Sequence, residues 1–181
     1  MARSASCAGE LCRDLAERKV ELVITRVTES LIEENMSVET LFDDEYLVVA
    51  AKQNPWARRR RIELAQLMNE PWTLAPPDSV VGAFAISAFR ACGLKPPPTT
   101  VVTLSVHMRH RLLATGRFLT ITSGFMLRLP GKHPSLTALP IELPNARGAI
   151  AIITLKNRSL SPLAELFIKT ARAVTKPLVK K

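Results

Sequence analysis

The chain has 181 residues, of which 47% are hydrophobic and 5% aromatic, and its formal net charge is +9 at pH 7. A hydrophobic fraction of this size excludes a disordered protein and is enough for one domain or two small lobes. The basic charge suggests an anionic partner, but so few aromatic residues exclude a stacking platform for single-stranded nucleic acid.

The N-terminal third of the sequence predicts one helix followed by strands. Residues 10–19 have two leucines four apart on one face, which indicates a helix, and the apolar run at 20–25 indicates a strand covered on both faces. A pair of strands is predicted at 36–41 and 46–51, with the acidic segment 42–45 as the turn between them.

The remainder of the chain alternates strands with helices that begin at capping residues. This alternation indicates an α/β fold with mostly parallel sheets. The last predicted helix begins at Ser161 and has Leu163, Leu166, Phe167 and Val174 on one face. The other predicted elements are strands at 72–75, 100–104, 118–122, 139–143 and 150–155, helices at 62–68, 79–92 and 106–115, and a short helical piece after Ser123.

Four segments, in order along the chain, share a pattern with one protein family. They read DLAERKVELVITR, LFDDEYLVVAAKQNPWARRRRIELAQLMNEPWTL, GLKPPPTTVVTLSV with LLATGRFLTITS, and ALPIELPNARGAIAIITLKNRSLSPLAELFIKTAR. Together they resemble the effector-binding domain of LysR-type bacterial transcriptional regulators. The resemblance implies two α/β lobes in a type 2 periplasmic-binding-protein-like fold, with lobe I at residues 1–71 and 148–181 and lobe II at residues 72–147.

The N-terminus departs from the family pattern. In the family, a helix-turn-helix domain precedes the effector domain, which itself opens with a strand and a long helix, and residues 1–9 resemble neither. We therefore expect lobe I to be incomplete, and DNA to be bound only through a helix-turn-helix domain absent from this chain. The resemblance also implies a homodimer or higher homo-oligomer, because family members pair lobe I of one subunit with lobe II of another.

The resemblance places a small-molecule effector, anionic or aromatic, in the cleft between the lobes. In open α/β sheets, ligands bind where strands end and helices begin, and helix N-termini attract carboxylates. Three such positions follow predicted strands, at 76–79, at Ser105 and at 122–123. Ordinary N-capping is the simpler explanation for any one of them, but their convergence supports a site. The candidate ligand-binding residues are Thr40 (by resemblance), Pro76, Pro77, Asp78, Ser79, Ser105, Thr122, Ser123 and, as a carboxylate partner, Arg128.

The histidines are weaker candidates. His107 and His110 share a helix face, but the sequence places no third ligand beside them or beside His133, so we favour solvated surface over a metal or anion site. Arg109 and Arg111 are interpreted in the same way. We expect no metal and no cofactor.

Other function classes stay open. An enzyme on the same bilobal fold is disfavoured because the sequence has no nucleophile–base motif and no glycine-rich phosphate loop. A solute receptor would be favoured by an export signal, and a remnant that does not fold would lack a cooperative melt. The first residues have no apolar signal stretch, and no run approaches the roughly 20 apolar residues of a membrane span, so we expect a cytosolic protein with no membrane partner.

Two further features bear on partners and redox state. The four arginines at 58–61 are interpreted as a solvated junction between a loop and a helix, and contact with DNA phosphates or an acidic partner surface is the alternative. Cys7, Cys12 and Cys92 are predicted to be free thiols, with Cys92 buried at a helix end, because their spacing fits neither a zinc site nor a redox pair.

Overall fold

The computed structural model describes residues 7–27, 31–128 and 135–178, apart from the side chains of residues 7, 8, 99 and 100. The predictions for His133 and for the side chain of Cys7 fall outside the described residues.

The chain divides into two compact units. Unit 1 is Met1–Asp44 with Arg147–Lys181, and unit 2 is Glu45–Ala146. Residues 45–71 are compact with the rest of unit 2, and the assignment of lobe I to residues 1–71 and 148–181 stays a prediction. A single strand passes from one unit into the other, and its second half pairs with a strand of unit 2.

Unit 1 is a sheet with helices packed against it. Strand β1 pairs antiparallel with β7, which neighbours the first half of β2. A small apolar core joins Cys12 and Leu15 of α1 to Val23, Met36 and Ile153 of the three strands. The elements are α1 (Cys7–Ala16), β1 (Leu22–Arg26), β2 (Met36–Ala51), β7 (Arg147–Leu155) and α5 (Pro162–Thr175).

Unit 2 is a mixed sheet between helices. Strand β3 pairs parallel with β4, whereas the second half of β2 pairs antiparallel with both β5 and β6. An isolated parallel bridge between Trp72 and Leu119 joins β3 to the start of β5. The elements are β3 (Trp72–Leu74), α2 (Val80–Ala91), β4 (Thr99–Val102), α3 (Val106–Ala114), β5 (Thr120–Ser123), α4 (Phe125–Arg128) and β6 (Leu136–Ala138), with short 3₁₀ helices at Pro55–Arg58 and Leu64–Leu67.

The two faces of the unit 2 sheet have different cores. One face packs Val48, Trp72 and Ile121 against Phe89 of α2. The opposite face packs Val49 and Ala51 against Leu113 of α3. Because side chains alternate between the faces of a strand, neighbours in the sequence of β2 contribute to different cores.

The structure confirms the α/β class and corrects four details. The acidic segment 42–45 is not a turn, because β2 is one continuous strand of 16 residues. The prediction of mostly parallel sheets is wrong: among the described pairings, β2 runs antiparallel to its partners in unit 2, and β1 runs antiparallel to β7. Residues 139–143 are not a strand, and β6 lies just before them. Cys92 is exposed at the end of α2 rather than buried.

Candidate functional site

Parallel pairing brings the ends of three strands to one edge of unit 2. Strand β3 runs parallel to β4, with Leu74 beside Val102, and the Trp72–Leu119 bridge makes it parallel to the chain entering β5. The carboxyl ends of parallel strands meet at one edge of a sheet, where ligands of open α/β sheets bind. We call this edge, with the segments 75–79, 103–107 and 122–124 that follow the strands, the carboxyl edge.

The first segment of the carboxyl edge folds back over the start of α2. The hydroxyl of Ser79 accepts a hydrogen bond from the Gly82 amide at 3.1 Å and donates one to the Pro76 carbonyl at 2.6 Å. The loop lies so close to the helix that a Cβ on Gly82 would sit 1.9 Å from the Pro76 oxygen. Ser79 is therefore the cap, whereas Pro77 and Asp78 are exposed beside it.

The second segment opens α3 in the same way. The Ser105 hydroxyl accepts from the Met108 amide at 3.2 Å, and the Ser105 amide donates to the Thr103 hydroxyl at 3.1 Å. The first four amides of a helix lack partners within the helix, and a cap satisfies one of them.

Amides that remain after capping give the carboxyl edge its chemistry. Among the described residues, the backbone amides of Val80 and Val81 in α2 have no hydrogen-bond acceptor, and the same is true of Val106 and His107 in α3. Two helices thus present unpaired donors and the positive ends of their dipoles at one edge, an arrangement that suits an anionic group.

The third segment ends β5. Thr122 is buried opposite Leu47, and Ser123 is half-buried opposite Tyr46. The next amide, of Gly124, donates to the carbonyl of Glu45 at 2.7 Å, so the chain stays tied to β2 as it enters α4. Arg128 is exposed at the end of this short helix.

Thr40 belongs to unit 1. It lies exposed on the first half of β2, next to Glu39. The guanidinium of Arg172 binds Glu39 through two hydrogen bonds of 2.6 and 2.7 Å and lowers the pKa of that carboxyl. The other eight candidate residues lie in unit 2.

Sequence reasoning missed one residue of unit 2. Arg109 is interpreted as solvated surface from the sequence, but its relative exposure is 4%, whereas Arg111 is exposed as predicted. Burial lowers the pKa of Arg109. The available signal was helical spacing, because Arg109 lies four residues before the buried Leu113 on the same face of α3.

A surface groove of about 560 Å³ in unit 2 lies elsewhere. Its lining includes Cys92 and Leu94, which follow the C-terminal end of α2, and Ile141. The candidate residue Ser79 caps the opposite end of that helix. None of the predicted ligand-binding residues lines this groove.

Within residues 7–27, 31–128 and 135–178, no group of three or more histidine, cysteine, aspartate or glutamate side chains is placed to hold a metal ion. Within the same ranges, no helix combines the length and apolar character needed to cross a bilayer.

Comparisons of sequence agree with the resemblance noted above. The sequence profile of the LysR substrate binding domain matches residues 4–176. The transcriptional dual regulator GltC of Bacillus subtilis (strain 168) is 26% identical over 135 residues, which are 70% of this chain and 42% of GltC. The chain thus spans less than half the length of this curated relative.

Comparisons of structure identify the fold. The CcmR regulatory domain of Synechocystis PCC6803, solved in complex with 2-PG, is similar with a TM-score of 0.73 and 20% identity, over 92% of this chain and 79% of that one. The effector binding domain of QuiR in complex with shikimate has a TM-score of 0.66 and 20% identity, over 95% and 79%. The periplasmic-binding-protein-like fold is thereby confirmed, and the incompleteness of the first lobe stays a prediction.

Proposed function

Because the chain belongs to the LysR substrate-binding domain family, we propose that it binds a small-molecule effector and so controls the activity of a transcriptional regulator. The observation that carries the proposal is the carboxyl edge, where two capped helices present unpaired amides beside the end of β5. The complexes of CcmR with 2-PG and of QuiR with shikimate support a small ligand for this family.

We propose that the effector is anionic or aromatic and lies in the cleft between the lobes. Amides at the start of α2 and α3 would bind a carboxylate, and the hydroxyls of Thr122 and Ser123 would bind polar groups next to it. Arg128 would pair with a second charge. Thr40 would contribute a hydroxyl from the other lobe, and the loop 76–79 would form the wall of the site at α2.

The test separates ligand binding from helix capping. We would screen aromatic and dicarboxylic acids by thermal shift and measure the dissociation constant of any hit by calorimetry. Ser105→Gly should weaken binding at least tenfold while changing stability by a few tenths of a kcal/mol, since glycine is a tolerated cap. Ser161→Gly is the control for affinity, because Ser161 caps α5 with the same hydrogen bond but is not a candidate residue; its hydroxyl also donates to Glu21, so only the affinities of the two variants are compared.

Two results would contradict the proposal. The first is that none of the acids binds. The second is that Ser105→Gly and Ser161→Gly have the same affinity as the unchanged protein.

We further propose that the chain is not an enzyme. A sensor returns its ligand unchanged, so the hit should be recovered intact, as followed by proton NMR over a day with stoichiometric protein. Consumption of the ligand would favour the alternative of an enzyme on the same fold. A solute receptor on this fold would also return its ligand intact and would be favoured by an export signal.

We propose that DNA is contacted through a separate helix-turn-helix domain and that the protein acts in the cytosol. The arginines at 58–61 are exposed, so a weak and sequence-independent contact with phosphates is the competing expectation. Fluorescence anisotropy with unrelated duplexes distinguishes the two, because phosphate contact alone disappears steeply as salt rises.

We propose a second copy of this chain as the protein partner. Helix α5 exposes Leu163 (76%) and Phe167 (50%), and unit 2 exposes Leu104 (70%) after β4. Apolar residues clustered on one face of a surface helix mark an interaction site. Leu166→Glu should therefore shift sedimentation towards a smaller species, and Lys169→Glu on the same helix is the control.

A further inference from the structure

Arg109 is a buried arginine with an unpaired guanidinium nitrogen in the part of the chain that the structure describes. Its relative exposure is 4%, and its Nη1 has no hydrogen-bond acceptor among the described residues. An arginine side chain can only donate hydrogen bonds and stays charged in proteins. A buried charge is normally paired, because removing it from water is otherwise strongly unfavourable.

Unit 2 offers no carboxylate to pair with it. The sequence of this unit contains five acidic residues, and each is exposed or half-buried at the surface. Within the described residues, none of them forms an ion pair with Arg109, and burial alone accounts for its lowered pKa. The five are Glu45, Glu63, Glu70, Asp78 and Glu142.

A second buried donor lies on the same face of the sheet. Thr73 is fully buried in β3, and its hydroxyl also has no partner among the described residues. Its neighbours Trp72 and Leu74 belong to the core on the α2 side, so Thr73 points to the opposite side, where α3 packs against β3. Nearby on that face, the hydroxyl of Thr120 is already used, since it donates to the Thr73 carbonyl at 2.6 Å.

The direction of the Arg109 side chain connects it to the carboxyl edge. Long side chains of a helix lean towards its N-terminus. Arg109 is one turn from the Ser105 cap of α3, so a side chain with this usual lean would reach towards the end of the helix that carries unpaired amides. A group lying between α3 and β3 that accepts hydrogen bonds would satisfy both the guanidinium of Arg109 and the hydroxyl of Thr73.

We propose that Arg109 and Thr73 bind a small oxyanion, a carboxylate or phosphate, inside unit 2. An anion supplies both the acceptor oxygens and the opposite charge, whereas a water molecule supplies only the first. A guanidinium binds either group through two parallel hydrogen bonds. This site goes beyond the proposed effector role, because it exists whether the oxyanion is free or is part of an organic acid.

The experiment measures anion-dependent stability. The unfolding midpoint of the whole chain is followed by far-UV circular dichroism in phosphate, acetate or succinate, each titrated against chloride at constant ionic strength. We expect a saturating rise at millimolar concentration for the unchanged protein, as binding to the native state requires. Arg109→Met should remove this rise, whereas Arg111→Met, on the exposed part of the same helix, should keep it.

The three anions distinguish a free oxyanion from the carboxylate of an organic acid. Saturation by inorganic phosphate indicates a free oxyanion, and saturation by acetate or succinate alone indicates a carboxylate of an organic acid. If Arg109→Met does not fold, Arg109→Lys keeps the charge but not the planar fork, and its affinity should be lower by about tenfold or more. Calorimetry then provides the direct readout.

Two results overturn the inference. One is that the unchanged protein shows no saturating response to any of the three anions. The other is that Arg109→Met shows the same saturating response as the unchanged protein. Loss of acid binding in Ser105→Gly with an unchanged response in Arg109→Met would refute this site and leave the proposed function standing. Unchanged acid binding in Ser105→Gly with a lost anion response in Arg109→Met would refute the proposed function alone.

Discussion

The buried ion pair of Arg26 and Asp44 offers a quantitative test of how unit 1 is held together. Arg26 Nη2 lies 3.0 Å from Asp44 Oδ2, and its Nη1 donates to the Asp44 carbonyl at 3.3 Å. The Asp44 side chain is 1% exposed and the Arg26 side chain 10%. Gly148 makes room for the arginine, because a Cβ there would sit 2.8 Å from Nη1.

We predict that Asp44→Asn destabilises the protein by about 3 kcal/mol. Two unit charges at this separation attract by about 5–6 kcal/mol at an effective dielectric constant of ~20. Removing one partner of a buried pair costs about 3–5 kcal/mol, and asparagine keeps an acceptor, which places the effect near the lower end. For a chain of this size, the corresponding fall in melting temperature is roughly 6–12 °C.

The assay is urea unfolding at pH 7, followed by circular dichroism. Glu142→Gln is the control, since it also replaces a carboxylate by an amide, at an exposed position, and should stay within about 0.5 kcal/mol. Adding Arg26→Met to Asp44→Asn should recover part of the loss, because no unpaired charge is then buried. Equal stability of Asp44→Asn and Glu142→Gln would refute the reasoning.

Three further predictions concern smaller features. Gly82→Ala should destabilise by about 1–3 kcal/mol, because its methyl group would overlap the Pro76 carbonyl; a gain in stability would contradict this. Hydrogen bonds from the Ser161 cap lower the pKa of Glu21. The ionised Glu21 carboxylate therefore stabilises the folded protein at neutral pH, and this stabilisation is lost as the pH falls through the lowered pKa. The melting temperature of Glu21→Gln should therefore fall less between pH 7 and pH 3 than that of the unchanged protein. The same fall in both proteins would argue against this role of Glu21. Burial raises the pKa of the Cys12 thiol. In a Cys7→Ser variant, a thiol reagent should therefore label the exposed Cys92 first and Cys12 only after unfolding. Equal labelling rates would contradict this order.

The starts of α2, α3 and α5 are the part of the fold that the sequence predicts well. Ser105 and Ser161 are predicted as N-caps, and Asp78 and Ser79 are the two candidates for the start of α2. Ser79, Ser105 and Ser161 each accept a hydrogen bond from the amide three residues later. The prediction succeeds because capping depends on residues that are adjacent in sequence. The candidate segments of the carboxyl edge follow from the same local signals.

The acidic segment 42–45 shows where local signals fail. Three consecutive carboxylates are typical of a turn, yet the strand continues through them. Asp44 is stabilised by Arg26, which lies 18 residues earlier on a different strand, and no short-range pattern reveals that contact. The antiparallel order of β2 and its partners is equally non-local, so parallel sheets were a reasonable but wrong expectation.

Burial was also hard to predict from residue type. Arg109 is polar and buried, whereas Leu163 and Phe167 are apolar and exposed. Burial depends on which elements pack together, and α5 buries the smaller Ala164 and the next-turn Ile168 instead. The candidate residues of the carboxyl edge follow from local signals and stay a prediction. The burial of Arg109 depends on how α3 packs, and its spacing from Leu113 is the one signal that the sequence offers.

The continuity of β2 limits how this protein can change in length during evolution. Tyr46, Val48 and Ala50 face one core of unit 2, and Val49 and Ala51 face the other. Losing or gaining a single residue within 42–45 would interchange these two sets, because consecutive side chains of a strand point in opposite directions. Homologues should therefore vary in length in the surface loops, and any indel within this strand should come in pairs or be accompanied by a bulge.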